Sequence, residues 1–75
     1  MKYYKSSSRF DLYKWEVEIE DENDLLDEEA RLQEAYPNAD IDAVQDEDHP
    51  PFMWFLIIVF KDAADEAEFI MRESS

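Results

Sequence analysis

Apolar and polar residues change rhythm four times along this chain. From Arg9 to Glu20 they alternate, with Tyr13, Trp15, Val17 and Ile19 on one side and Lys14, Glu16, Glu18 and Glu20 on the other. That period of two predicts a strand with one buried face. Phe10 and Leu12 fall on the charged side near its start, so that side is expected to be partly covered there. After Asp21 the rhythm lengthens. Leu25, Leu32 and Tyr36 stand at i, i+7 and i+11, with Leu26 and Ala30 nearby, which is the stripe of an amphipathic helix. Asp21, Asn23 or Asp24 can cap its start, Asp27 and Arg31 form an i, i+4 pair, and Pro37 ends it. Asn38 suits the left-handed turn that often follows a helix.

Alternation then returns weakly. Ala39, Ile41 and Ala43 against Asp40 and Asp42 predict a second strand at a sheet edge, and Gln45 to Pro51 reads as a polar connection. Phe52 to Phe60 is an unbroken apolar run, bounded by Pro51 and by Lys61-Asp62. It is far short of the ~20 residues a spanning helix requires. Rich in aromatic and β-branched residues, it predicts a strand buried on both faces in the middle of a sheet. Asp62 caps a last helix with Asp65 in the capping-box position, and Ala63, Ala67, Ile70 and Met71 are expected on its inner face.

Strand, helix, strand, strand, helix is an α+β pattern, βαββα. Short connections and right-handed crossovers favour a three-stranded antiparallel sheet in the order 2-3-1 with both helices on one face. This is a ferredoxin-like topology lacking its last strand, in one domain spanning residues 1–75. Two surfaces are left open. The first strand has a free edge, so the N-terminal residues 1–8 are expected either to fray or to pair with it. The central strand has an uncovered apolar face, so homodimerisation through the sheet is one expectation.

Composition narrows the chemistry. With 21 acids, seven bases and a formal charge of −14, the chain would suit disorder, but its eleven aromatic residues lie in periodic segments that can build a core. Cysteine is absent, which excludes a disulfide framework, a thiolate metal site and a cysteine nucleophile. Glycine is absent too, which excludes glycine-dependent phosphate loops and the serine nucleophile elbow. His49 is the one histidine; it precedes Pro50 in a connection and reads as a turn residue rather than a base or metal ligand. Asp40 and Asp42 with Asp46-Glu47-Asp48 lack the spacing of a calcium loop. A glycosidase pair of carboxylates would need a cleft that so small a chain is not expected to build. No enzyme activity and no cofactor are expected, and the N-terminus has no apolar segment of a secretion signal, which leaves the cytoplasm as the expected compartment.

What remains is charge. Residues 1 to 14 carry four bases and one acid, whereas residues 15 to 75 carry three bases and twenty acids. Between Glu16 and Glu29 nine acids occur without a base. A solvated surface is the plain explanation, yet a charge of magnitude about 2 to 8 suffices for solubility of a small domain. The excess suggests imitation of nucleic acid. One strand row of carboxylates, spaced about 6.7 Å, is too sparse to imitate a duplex with one charge per ~1.7 Å of axis. Several rows are needed, and they are available as Glu16, Glu18 and Glu20 on the strand; Asp21, Glu22 and Asp24 at the helix start; Asp27 and Glu28 on the helix; and Asp46, Glu47 and Asp48 in the loop. As phosphate surrogates they would bind a basic nucleic-acid-binding protein and displace its substrate, as phage inhibitors of host defence or repair enzymes do. No direct nucleic-acid contact and no membrane contact are expected. The alternative is an assembly module that dimerises through its sheet and uses charge for solubility alone. Trp15 and Trp54 are expected in the core, and Met53 and Phe55 are hot-spot candidates if exposed.

Overall fold

A computed structural model describes residues 3–47 and 53–73. Its elements are β1 (Tyr4–Lys5), β2 (Lys14–Ile19), α1 (Glu22–Ala35), β3 (Asp40–Asp46), β4 (Met53–Val59) and α2 (Ala63–Glu73). The fold is α+β, with an antiparallel sheet and two helices. The sheet has four strands in the order β1-β2-β4-β3 rather than three. The three expected strands are neighbours in the expected order, and the correction is the short β1, which pairs with the free edge of β2 through Tyr4 opposite Glu16 and Lys5 opposite Trp15. Two residues carry no readable period, so only the partner strand defines β1 as a strand.

β4 takes the centre because it can bury the most. Leu56 and Ile58 are fully buried beneath the helices, Leu56 beside Val17 and Ile58 beside Trp15 of β2. On the opposite face Met53, Phe55, Ile57 and Val59 are only half-buried and no described element lies over them; a single chain therefore does not bury β4 on both faces, and the apolar second face expected to stay uncovered by two helices on one side does so. β2 begins at Lys14 rather than Arg9, because Ser8 turns the chain: its Oγ accepts from the amides of Phe10 and Asp11 at 3.3 and 3.2 Å. Phe10 and Leu12 are consequently 87% and 61% exposed, against the expectation that they are covered.

Asp21 caps α1, its Oδ1 accepting from the Asn23 amide at 2.8 Å, and Leu25, Leu32 and Tyr36 are the buried stripe, while Leu26 is exposed. Tyr36 closes the helix before Pro37, its amide donating to the Leu32 carbonyl at 2.8 Å. Asp62 caps α2 by accepting from the Asp65 amide at 2.8 Å. The expected inner face of α2 is corrected. Phe69 and Glu66 are buried, whereas Ala63, Ala67, Ile70 and Met71 face outward. One large aromatic ring outweighs a stripe of smaller groups here: Phe69 meets Tyr3, Trp15, Tyr36 and Phe60 with ring centroids 4.9 to 6.2 Å apart, so the helix rotates to seat it. Trp15 shares the inner sheet face with Val17 and Ile19, so both helices pack on that one face.

Candidate partner-binding face

The open face is set by register. Across it Glu18, Phe55 and Val44 stand in line, then Glu16, Ile57 and Asp42, then Lys14, Val59 and Asp40. Met53 sits beside Asp46 at one end. An apolar row on β4 is thus framed by carboxylates on both neighbouring strands. Two strand spacings separate the framing rows by about 9.6 Å; Glu16 and Glu18, like Asp40 and Asp42, are about 6.7 Å apart, while Val44 interrupts the second row before Asp46. In water two like charges at that distance repel by about 0.6 kcal/mol before screening. The sheet holds them there against this repulsion.

Charge is not spread evenly along the face. At the end where Ile19 pairs with Trp54 and Asp46 with Met53, the chain also places Glu18, Glu20, Asp21, Glu22 and Glu47. Among the described residues of β2, β3 and β4, no Lys or Arg stands at this end. At the opposite end stand Lys14 and, just past β4, the exposed Lys61. The face therefore has a strongly acidic end and a mixed end.

The candidate residues separate into groups. Glu16, Glu18, Glu20, Asp46 and Glu47 belong to the open face or its acidic end, and Asp21, Glu22 and Asp24 continue that end into the exposed first turn of α1. Asp27 lies on the exposed side of α1, away from the sheet. Glu28 is engaged within the molecule: it pairs with Arg31, which also reaches Glu73 Oε1 at 3.0 Å and ties α1 to α2. The expected Asp27–Arg31 pair is replaced by this triad. Asp48, like His49, lies outside the described residues. Glu16 is restrained, accepting at 2.9 Å from both the Tyr4 hydroxyl and Ser6 Oγ, with Lys14 Nζ at 3.7 Å. Desolvation, followed by the hydrogen bond to Glu16 and the nearby carboxylate charge, pushes the Tyr4 hydroxyl up to about 12.

Two residues escaped the sequence reading. Asp40 and Asp42, read from sequence as the polar side of a strand and weighed as calcium ligands but not as surrogates, form the second framing row; alternation of β3 marks them as sharing a face, but only its register with β4 sets them across from Lys14 and Glu16. Among the described residues no three His, Asp or Glu side chains gather at metal-binding spacing. Glu66 is 8% exposed, accepts from Trp15 Nε1 at 2.9 Å and meets Lys5 Nζ at 3.3 Å. It locks β1, β2 and α2 together on the inner side. Trp15 and Trp54 both pack against the core, while Met53 and Phe55 are half-buried on the open face.

No family model, curated protein or solved structure matches this chain. The open face must speak for itself. Among the described residues no helix is long and apolar enough to cross a membrane.

Proposed function

We propose that the chain is a small non-enzymatic binding protein that imitates nucleic acid and inhibits a basic nucleic-acid-binding protein, in the manner of phage factors that disarm host defence or repair enzymes. The observation that carries this reading is the pair of acidic rows on a sheet face that no described element covers. The six residues of β2 extend over about 17 Å. A duplex of that length carries about ten phosphates, of which about half face one side. Glu16, Glu18, Asp40, Asp42 and Asp46 match that density, with Lys14 as the base among them. Asp21, Glu22, Asp24 and Glu47 extend the field around the acidic end. The reading takes the scaffold as ferredoxin-like, with β1 in the place beside β2 where a last strand would stand.

A second reading has its own observation. The half-buried row Met53, Phe55, Ile57 and Val59 suits a sheet-to-sheet homodimer. Two such faces, however, bring carboxylates of like sign together, which favours a partner of opposite charge.

The test is displacement of a fluorescent duplex from purified DNA glycosylases, nucleases and restriction endonucleases with basic clefts. Displacement from at least one at low salt, with affinity falling steeply as salt rises, is expected. Changing Glu16, Glu18 and Glu20 together to lysine should abolish it. A chain that displaces no duplex from these proteins, and instead forms dimers that persist at high salt, belongs to the assembly reading.

A further inference from the structure

We infer that the element captured by the open face is a cationic amphipathic helix of the partner, lying along β4 with its apolar stripe on Met53, Phe55, Ile57 and Val59. This rests on the reading above that the partner is basic, and goes further by naming the part of it that is bound. Three properties of the face select this occupant.

The first is width. An α-helix with its side chains is about 10–12 Å across, and the two framing rows are about 9.6 Å apart. A helix lying over β4 therefore brings residues on both flanks of its stripe to the two rows at once. The second is composition. A face that only presented phosphate surrogates would have no use for an apolar centre, yet the central row here is apolar at all four positions and only half-buried. Lys or Arg on both flanks of an apolar stripe complements floor and rims together, because the long cationic side chains lie over apolar surface while their heads reach carboxylates.

The third is length. About 17 Å of strand corresponds to about 11 residues, or three turns, of helix. A whole-protein interface of standard size buries about 800 Å² per partner, and this face is too small to supply that alone. One helix fits it. A second copy of the chain is disfavoured, since each face carries five carboxylates against Lys14. The polarity of the face also orients the guest. Its more cationic end lies toward Glu18, Glu20 and Asp46, away from Lys14 and Lys61. A helix whose bases cluster near its C-terminus therefore lies with that end at the Ile19–Trp54 pair.

The experiment uses two synthetic peptides of about 12 residues and identical composition. One places Leu at i, i+3, i+4 and i+7 with Lys on both flanks; the other scrambles the same residues, keeping the charge and losing the stripe. The full chain is titrated with each, followed by amide and methyl NMR shifts at low and at moderate salt. The striped peptide is expected to bind about tenfold tighter, to retain binding at moderate salt, and to shift Phe55, Ile57, Val59 and the flanking strands. In Ile57→Asp, with its fold verified by circular dichroism, the advantage should vanish. Equal binding of the two peptides, shifts confined to the exposed side of α1, or an unaltered preference in Ile57→Asp overturns the inference. The duplex-displacement test separates the two proposals. Displacement without peptide preference leaves the mimic and removes the helix; preference without displacement leaves a helix-binding face and removes the mimic.

Discussion

Replacing Glu66 tests how so small a chain holds its N-terminal strand. The carboxylate is 8% exposed and has two partners: the indole N–H of Trp15 at 2.9 Å and the ammonium of Lys5 at 3.3 Å. They are unequal. The Lys5 side chain is 45% exposed, so solvent screens that pair and limits it to about 0–1 kcal/mol. The indole N–H is part-buried, and stranding it costs about 1–3 kcal/mol. Glu66→Gln keeps an acceptor of the same shape and loses only the charge, so a loss below about 1 kcal/mol is expected. Glu66→Ala removes acceptor and packing together and should lose about 2 kcal/mol. For a domain of this size that lowers Tm by about 8–16 °C, and it is a large share of a total of about 4–11 kcal/mol. Urea titration followed by far-ultraviolet circular dichroism measures both variants without relying on Trp15 fluorescence. Hydrogen exchange supplies a second readout, since the Ser6 amide, which donates to the Lys14 carbonyl at 2.8 Å, should lose protection in Glu66→Ala as β1 loosens. Equal losses in the two variants would show that charge, not the indole bond, dominates. A loss below about 0.5 kcal/mol in Glu66→Ala would refute the reasoning altogether.

Two further outcomes are expected. Phe69 is 1% exposed and touches four rings, so Phe69→Ala should cost about 3–5 kcal/mol, a large part of the total stability, and lower the urea midpoint far more than Phe69→Leu does; a native-like melting curve for Phe69→Ala contradicts the packing described. Burial, followed by neighbouring acids, holds the Tyr3 hydroxyl well above the ordinary tyrosine range; burial also raises Tyr36, and Tyr4 is pushed up to about 12. With folded values raised, the unfolded chain releases these protons first, so their contribution is complete below pH 10.0 and declines as pH rises toward and beyond 12. Tyrosinate absorbance titrated alongside circular dichroism checks this, and Tyr3, Tyr4 and Tyr36 all ionising at 10.0 without loss of stability would contradict it.

The match between local pattern and structure is uneven for identifiable reasons. α1 was legible because Leu25, Leu32 and Tyr36 repeat over three turns and Asp21 caps them, so local and tertiary preferences agree. α2 was legible as a helix but not in its rotation. Periodicity weights Ala63, Ala67, Ile70 and Met71 as a stripe, whereas the core had room shaped for the ring of Phe69, and Lys5 with Trp15 made burial of Glu66 tolerable. The candidate site divided likewise. Alternation put Glu16 and Glu18 on one strand face, but it could not place Asp40 and Asp42 across β4 from Lys14 and Glu16, nor turn Asp27 away from them.

The linear order of residues by itself determined the kinds of element, the central place of the Met53–Val59 strand, the two acidic caps and the excess of negative charge, because each depends on neighbours within a few positions. Tertiary structure decided that Tyr4–Lys5 is a strand, that Glu66 is buried, and that two rows of carboxylates frame an apolar one. Those features depend on contacts between residues distant in the chain, whose energies exist only once β2, β3 and β4 have come into register.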